Sequence, residues 1–145
     1  MTVQEKTTKL IAWIKDWFEQ NGPNCNAVLG ISGGKDSTIC AKLCVEALGS
    51  DRVIGILMPN GEQRDIDYSY KVCEILGIKY FVHNIGDTVE SVLHNMIENN
   101  LIISEQTTVN LPARIRMSTL YAYSQSLNGR VVNTCNKSED YVGYS

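Results

Sequence analysis

A glycine-rich segment near the start of the chain has the residue types and spacing of a phosphate-binding turn. It comprises residues 30–38, Gly-Ile-Ser-Gly-Gly-Lys-Asp-Ser-Thr, and it directly follows a short apolar run at 27–29. A glycine-rich turn between a buried strand and a helix start aligns backbone N–H groups with the positive end of the helix dipole. We therefore expect this segment to hold anionic phosphate oxygens. The alternative is a glycine-rich turn with a structural role alone.

The spacing distinguishes this segment from the P-loop of other nucleotide-binding proteins. A P-loop has Gly-x-x-x-x-Gly-Lys followed by Ser or Thr, whereas Asp36 follows the lysine here. The order Ser-Gly-Gly-x-Asp-Ser-Thr instead resembles the PP-loop of the ATP pyrophosphatases, enzymes that cut ATP between its α and β phosphates. Lys35 occupies the position of this motif that tolerates any residue, so a solvated lysine at the helix start is the simpler interpretation of its side chain. The resemblance implies ATP contacts for Gly30, Ile31, Ser32, Gly33, Gly34, Lys35, Asp36 and Ser37.

Two carboxylates are candidates for a metal site beside this loop. Asp36 lies at the start of the predicted helix, and Glu139 follows the last predicted strand. Mg²⁺ in proteins takes one or two carboxylates and completes its octahedron with phosphate and water oxygens. We therefore predict that Asp36 and Glu139 bind Mg²⁺ together. The simpler alternatives are a helix cap for Asp36 and a solvated loop charge for Glu139.

Two arginines could bring positive charge to the same site. Arg114 and Arg116 are two residues apart on a predicted helix, so their side chains do not share a face. One of them can form two parallel hydrogen bonds to a phosphate or carboxylate, while the other forms an ion pair at the surface. The spacing alone leaves open which arginine does which.

Alternating strands and helices would position these groups. Apolar residues at helical spacing predict a first helix from Leu10 to Phe18, which residues 21–23 end. Asp87 and Glu90 resemble a capping box at the start of another helix. Residues 99–109 are expected to form a loop or an irregular edge. The pattern predicts strands at 27–31, 53–58, 79–85 and 130–134, and further helices at 36–48, at 66–76, from 87, and at 110–127 with Pro112 in the first turn.

This alternation predicts an α/β fold, a doubly wound parallel sheet with helices on both faces. Ligands of such folds bind at the carboxyl ends of the strands. We therefore expect four segments to meet at one edge of the sheet. They are the loop at 32–38, the turn at 59–63, the start of the helix that bears Arg114, and residues 134–139.

Composition limits the partners and the location of the protein. The net charge is −3 and no run of basic residues occurs, which argues against a nucleic-acid partner. The apolar stretches are too short to span a membrane, and the charges in residues 1–20 argue against a secretory signal. The five cysteines include no Cys-x-x-Cys pair and are expected to be reduced thiols. We expect a cytoplasmic protein without a nucleic-acid or membrane partner.

Four sequence blocks, taken together, resemble the NAD⁺ synthetase family. They occur in the same order as in that family and are distributed over nearly the whole chain. The first block alone fits any PP-loop enzyme, and the Ala-Arg-x-Arg-Met helix followed by the Thr134-to-Glu139 segment narrows the family. Residues 133–136 read Asn-Thr-Cys-Asn where the family has Gly-Thr-Asp-His, so we assign no role to Cys135 or Asn136. The blocks are residues 29–37, 58–63, 110–117 and 133–139.

The resemblance implies a C–N ligase that amidates deamido-NAD⁺ with ammonia, consumes ATP through an adenylated intermediate, and releases AMP and pyrophosphate. It implies ATP contacts for Gln63 and Thr134, a deamido-NAD⁺ contact for Arg114, Mg²⁺ as cofactor, and a homodimer. Because the family continues past Ser145, we expect residues 1–145 to form one domain that is incomplete at its C-terminus, without full turnover.

Two other functions stay open from the residues. One is a different PP-loop ATP pyrophosphatase, either a GMP-synthetase-like enzyme or a tRNA-modifying one. The other is a non-catalytic nucleotide-binding α/β module. Ammonia is the expected nitrogen source, because Met1 leads directly into the first synthetase helix.

Overall fold

Strands and helices alternate along the chain, as the apolar pattern predicts. The computed structural model describes residues 1–141. The strands are β1 (Asn26–Gly30), β2 (Val53–Leu57), β3 (Lys79–Val82) and β4 (Gly129–Val131). The helices are α1 (Val3–Asn21), α2 (Lys35–Leu48), α3 (Ile66–Leu76), α4 (Gly86–Glu98), α5 (Glu105–Ser126) and α6 (Lys137–Tyr141). None of the helices within 1–141 has the length and apolar character needed to cross a membrane.

The four strands form one parallel sheet in the order β3-β2-β1-β4. The chain builds outward from β1 to β3 and then returns to place β4 on the other side of β1. Gly30 pairs with Ile56 of β2, and Val28 pairs with both Ile54 of β2 and Val131 of β4. The strand order therefore reverses between β1 and β4, which is where folds of this type bind ligands.

Alternate strand residues enter two separate cores, one on each face of the sheet. Strand β2 is buried along its whole length because helices cover both of its faces. The first core joins the sheet to α1, α2 and α3, and its buried members include Phe18, Leu29, Ala41, Cys44, Leu57 and Cys73. The second core joins the sheet to α5, and its members include Val28, Ile54, Ile56, Leu120, Tyr123 and Leu127. The predicted doubly wound sheet with helices on both faces is confirmed.

The start of α5 differs from the sequence prediction. The helix begins at Glu105, so residues 105–109 are helical and Pro112 lies in the helix interior instead of the first turn. Ser104 caps this helix, since its Oγ accepts a hydrogen bond from the backbone N of Thr107 at 3.1 Å. The prediction was wrong because it took the proline as the helix start, whereas the serine cap sets the start one turn and a half earlier.

The start of α4 also differs from the prediction. The capping box of Asp87 and Glu90 does not form, because the helix begins at Gly86 and its N-cap, Ile85, has no side-chain cap bond. Asn84 satisfies the helix start instead, with its Oδ1 accepting from the backbone N of Gly86 at 2.9 Å. The predicted strand at 79–85 is accordingly shorter and ends at Val82.

Candidate nucleotide site

A cavity of about 460 Å³ opens at the carboxyl ends of β1, β2 and β4. It therefore lies at the point where the strand order reverses, the expected ligand position in an open parallel sheet. Its walls are the loop after β1, the turn after β2, the beginning of α3, the middle of α5 and the segment after β4. The lining residues are 30–32, 56–59, Gln63, Ile66, Ser69, Arg116, Met117, Leu120, Tyr121 and 131–135.

Two serines hold the loop after β1 in shape. The buried Ser37 Oγ lies 3.1 Å from Ser32 Oγ and donates to the carbonyl of Gly34 at 3.2 Å. Ser32 Oγ in turn accepts from the backbone N of Gly34 at 3.2 Å. These hydrogen bonds join residues of the same loop and fix its shape, so the loop is preorganised for a ligand.

The first turn of α2 presents backbone amides at this loop. An α-helix leaves its first amides without carbonyl partners. The N-cap is Gly34, which makes no side-chain cap bond, so the amides of residues 35–37 keep their donors for another group. Together with the helix dipole, these donors form an anion-binding site at the loop.

Gly33 is required by both conformation and space. Its φ of +79° lies in the left-handed region, which glycine adopts without strain. A Cβ at this position would lie 3.0 Å from Tyr68 Cβ and 3.2 Å from the backbone N of Ser69. The loop therefore packs against α3 more closely than a side chain would permit.

The residues predicted to bind ATP fall into two groups. Those that line the cavity are Gly30, Ile31, Ser32, Gln63 and Thr134. Those that form the turn and the first helical turn beside it are Gly33, Gly34, Lys35, Asp36 and Ser37. Lys35 is exposed, which agrees with the solvated lysine considered from its motif position. The ATP contacts themselves stay a prediction.

The structure separates the two arginines. Arg116 is half-buried and lines the cavity, whereas Arg114 is exposed and does not line it. The Nε of Arg116 donates to the carbonyl of Met58 at 2.9 Å, and burial lowers the pKa of Arg116. The deamido-NAD⁺ contact of Arg114 stays a prediction.

Helical spacing is the signal that identifies Arg116 as the inward-facing arginine. Residues Leu120, Tyr123 and Leu127 pack onto the sheet in the second core. Arg116 precedes Leu120 by four positions and continues the same face of α5, while Arg114 does not.

Asp36 lies in the first turn of α2 and is half-buried. It forms no ion pair within residues 1–141, where the pairs are Lys42–Glu46 and His94–Glu98. Burial and the nearby Asp36 carboxylate raise the pKa of Cys40. The carboxylate of Asp36 is therefore available to a ligand or a metal ion.

Glu139 belongs to the short helix α6 after β4. Its Oε2 accepts from the backbone N of Asn136 at 2.9 Å, while Asn136 Oδ1 accepts from the amides of Ser138 and Glu139 at 3.0 Å and 3.1 Å. This reciprocal pair caps the helix start. Glu139 thus lies in a short helix instead of the loop expected from the sequence.

Protein side chains alone do not assemble a metal centre in the part of the chain that the structure describes, since no cluster of three or more His, Cys, Asp or Glu occurs there. A divalent ion bound here would need oxygen ligands from a nucleotide and from water. That requirement fits Mg²⁺, which often takes only one or two protein carboxylates. The joint role of Asp36 and Glu139 stays a prediction.

The parallel sheet, the cavity at its reversal point and the PP-type loop together define a nucleotide-binding α/β domain of the ATP pyrophosphatase type. The model of the NAD synthase family matches residues 6–145, so the chain belongs to that family.

Curated relatives carry the same family name over most of this chain. The NH(3)-dependent NAD(+) synthetase of Methanocaldococcus jannaschii is 38% identical over 145 residues, which cover 99% of this chain and 56% of the relative. The enzyme of the same name from Pyrococcus furiosus is 35% identical over 99% of this chain and 53% of the relative. The chain thus spans about half the length of the curated relatives it matches.

Solved structures agree with the fold. The NH3-dependent NAD synthetase of Campylobacter jejuni superposes with a TM-score of 0.85 at 33% identity, over 100% of this chain and 62% of that one. The NMN synthetase of Francisella tularensis superposes with a TM-score of 0.86 at 31% identity, over 100% of this chain and 59% of that one. The family resemblance drawn from the four blocks is confirmed.

Proposed function

We propose that this protein catalyses the ATP-dependent amidation of deamido-NAD⁺ with ammonia to NAD⁺, with release of AMP and pyrophosphate. The observation that carries the proposal is the family match over residues 6–145, combined with the preorganised loop at the cavity. The family match does not favour the alternatives of a GMP-synthetase-like enzyme, a tRNA-modifying enzyme or a non-catalytic module.

The chemistry proceeds in two steps. The nicotinate carboxylate attacks the α-phosphate of ATP, which forms an acyl adenylate and expels pyrophosphate. Ammonia then attacks the acyl carbon, forms the amide and expels AMP. The amides of residues 35–37 bind and orient phosphate oxygens, and Ser32 and Ser37 keep the loop in the shape that this requires. Orientation and electrostatic stabilisation supply most of the rate acceleration in such transfers.

Further groups of the site are assigned by their positions in the family blocks. Gln63 and Thr134, which line the cavity, contact ATP in this proposal. Arg114, exposed on α5, contacts deamido-NAD⁺. We also propose a homodimer in the cytoplasm that acts on small molecules alone, without a nucleic-acid or membrane partner. The net charge of −3 supports the exclusion of nucleic acid.

Asp36 and Glu139 would hold Mg²⁺ together with phosphate oxygens. The fit rests on the chemistry of the donors. Asp36 lies in the first turn of α2 beside the loop, Glu139 lies in the segment after β4, and neither belongs to an ion pair found among residues 1–141. When bound, the ion neutralises phosphate charge that would repel an incoming carboxylate.

A product assay tests the function. The chain is incubated with Mg²⁺, ATP, ammonium and deamido-NAD⁺, and NAD⁺, AMP and pyrophosphate are separated by chromatography. A second arm uses the chain extended with the part of a curated relative that it does not cover, since the chain spans about half the length of those relatives. We expect AMP and pyrophosphate in amounts equal to NAD⁺, and only when both acceptor and ammonium are present. Release of ADP and phosphate would refute this reaction class.

Two further arms sharpen the assay. Nicotinate mononucleotide replaces deamido-NAD⁺ in one, because a structural relative is named NMN synthetase; preferential use of the mononucleotide would refute the proposed acceptor. In the other, Asp36→Asn and Glu139→Gln are expected to raise the Mg²⁺ concentration for half-maximal rate by about tenfold or more. The control is Asp51→Asn, an exposed carboxylate before β2 at the opposite edge of the sheet.

A further inference from the structure

Arg116 is the one charged side chain among the residues of 1–141 that line the cavity. The other lining residues are apolar or neutral, and the polar ones are Ser32, Gln63, Ser69, Tyr121, Asn133 and Thr134. Neither ion pair found within residues 1–141 involves Arg116. The cavity therefore holds a positive charge that no acidic residue of its own wall neutralises.

The guanidinium of Arg116 is anchored at one end. Its Nε donates a hydrogen bond of 2.9 Å to the carbonyl of Met58, and Met58 directly follows β2. The side chain of Met58 also lies against Gly30, at the start of the loop. A Cβ built on Gly30 would be 3.3 Å from the Met58 Cε. The anchor thus ties α5 to the two strand ends from which the loop and the turn begin, and the terminal nitrogens of the guanidinium keep their donors.

Burial makes this cation costly without an anionic partner. The side chain is half-buried, and loss of hydration lowers the pKa of Arg116. An anion in contact would offset that loss, and the fixed Nε would leave little side-chain entropy to lose when the anion binds. ATP, the nucleotide of the proposed function, carries its negative charge on the phosphates.

We propose that Arg116 binds the phosphate chain of ATP from the α5 side of the cavity, opposite the amides of residues 35–37, while its Nε stays on the Met58 carbonyl. This assignment rests on the proposed function and adds a residue to its site. It is distinct from the role of Arg114, which lies on another face of α5 and outside the cavity wall.

Calorimetric titration of the chain with ATP, AMP and adenosine in the presence of Mg²⁺ tests the proposal. Arg116→Gln removes the charge, and Arg116→Lys keeps the charge but cannot hold Met58 and a phosphate with one planar fork. The matched control is Arg130→Gln. Arg130 also donates to a backbone carbonyl, that of Asn21 at 3.1 Å, but it is exposed and outside the cavity wall.

We expect Arg116→Gln to weaken ATP binding by about tenfold or more, because a hydrogen bond to a charged group is lost. The affinity of Arg116→Gln for adenosine should change by less than about twofold. The ATP affinity of Arg116→Lys should lie between those of the wild type and Arg116→Gln. The ATP affinity of Arg130→Gln should equal that of the wild type. Melting temperatures of all variants report whether the fold is retained.

Several results would overturn the assignment. Unchanged ATP affinity in Arg116→Gln would do so. An equal loss of affinity for adenosine and for ATP would also do so, because it would mean that the arginine contacts the adenine base or only supports the fold. If Arg116→Gln fails to fold, wild-type ATP affinity in Arg116→Lys overturns the proposed clamp. An extended chain that binds ATP but forms no NAD⁺ refutes the proposed function alone, whereas an extended chain that binds no ATP overturns both.

Discussion

Replacement of Gly33 by alanine tests how the phosphate loop is built. The backbone at Gly33 has φ +79°, and a Cβ there would lie 3.0 Å from Tyr68 Cβ and 3.2 Å from the backbone N of Ser69. Both of those atoms belong to the rigid part of α3, so rotation of a side chain does not relieve the contact. Gly33→Ala must therefore shift either the loop or the helix.

The expected loss of stability combines two terms. A left-handed conformation costs a non-glycine residue about 1 kcal/mol, and an extra methyl group in a packed position costs about 1–3 kcal/mol. The sum is about 3 kcal/mol. An unfolding entropy of about 2.1 cal/mol/K per residue for the 145 residues of the chain corresponds to about 0.3 kcal/mol per degree. Gly33→Ala should lower Tm by about 10 °C.

Gly77→Ala separates the two terms. Gly77 has φ +63° and ends α3, but a Cβ there would meet nothing within 4 Å. Only the conformational term applies, so Tm should fall by about 3 °C. Thermal unfolding followed by circular dichroism measures both changes, and titration with ATP should show weaker binding for Gly33→Ala alone. Equal losses of Tm in the two variants would refute the close packing of the loop on α3.

The remaining predictions concern the core and the thiols. Gly55→Ala places a Cβ 2.9 Å from Ile31 Cγ1 and 3.3 Å from Cys73 Sγ, so urea unfolding should show a loss of about 1–3 kcal/mol; an unchanged midpoint would contradict it. With a thiol reagent at pH 8, the exposed Cys135 should react first and ATP should protect it, because it lines the cavity. Burial raises the pKa of Cys44 to about 12 and of Cys73 to about 11, so both stay neutral thiols and should react only on unfolding. Peptide mapping locates the labelled cysteines, and rapid labelling of Cys44 or Cys73 in the folded protein would contradict this prediction.

The fold was predictable because its signals are local. Apolar runs at 27–29 and 53–58, separated by helical patterns, are typical of strands covered on both faces, and the sheet confirms them. The errors occurred where a side chain outside the apolar pattern sets an element boundary. Ser104 starts α5 ahead of Pro112, and Asn84 replaces the predicted capping box at α4.

The candidate site was predictable in part. The order of residues in the loop identified the phosphate-binding turn and the family, because such a turn needs particular residue types at consecutive positions. Ser69 was not predicted as a site residue, and Arg116 was one of two candidate arginines, of which the family resemblance gave a substrate contact to Arg114 alone. Each of them reaches the cavity from a helix distant in sequence, so its position depends on how α3 and α5 pack on the sheet.

The sequence by itself determined the α/β class, the loop at residues 30–37 and the family, since all three depend on neighbouring residues and on the period of apolar positions. Only the tertiary structure decided which helix faces form the cavity, and with them the choice between Arg114 and Arg116. Two positions along a helix turn a side chain by about 200°. Burial of one face of α5 against β1 and β2 therefore places one arginine in the cavity and leaves the other in solvent.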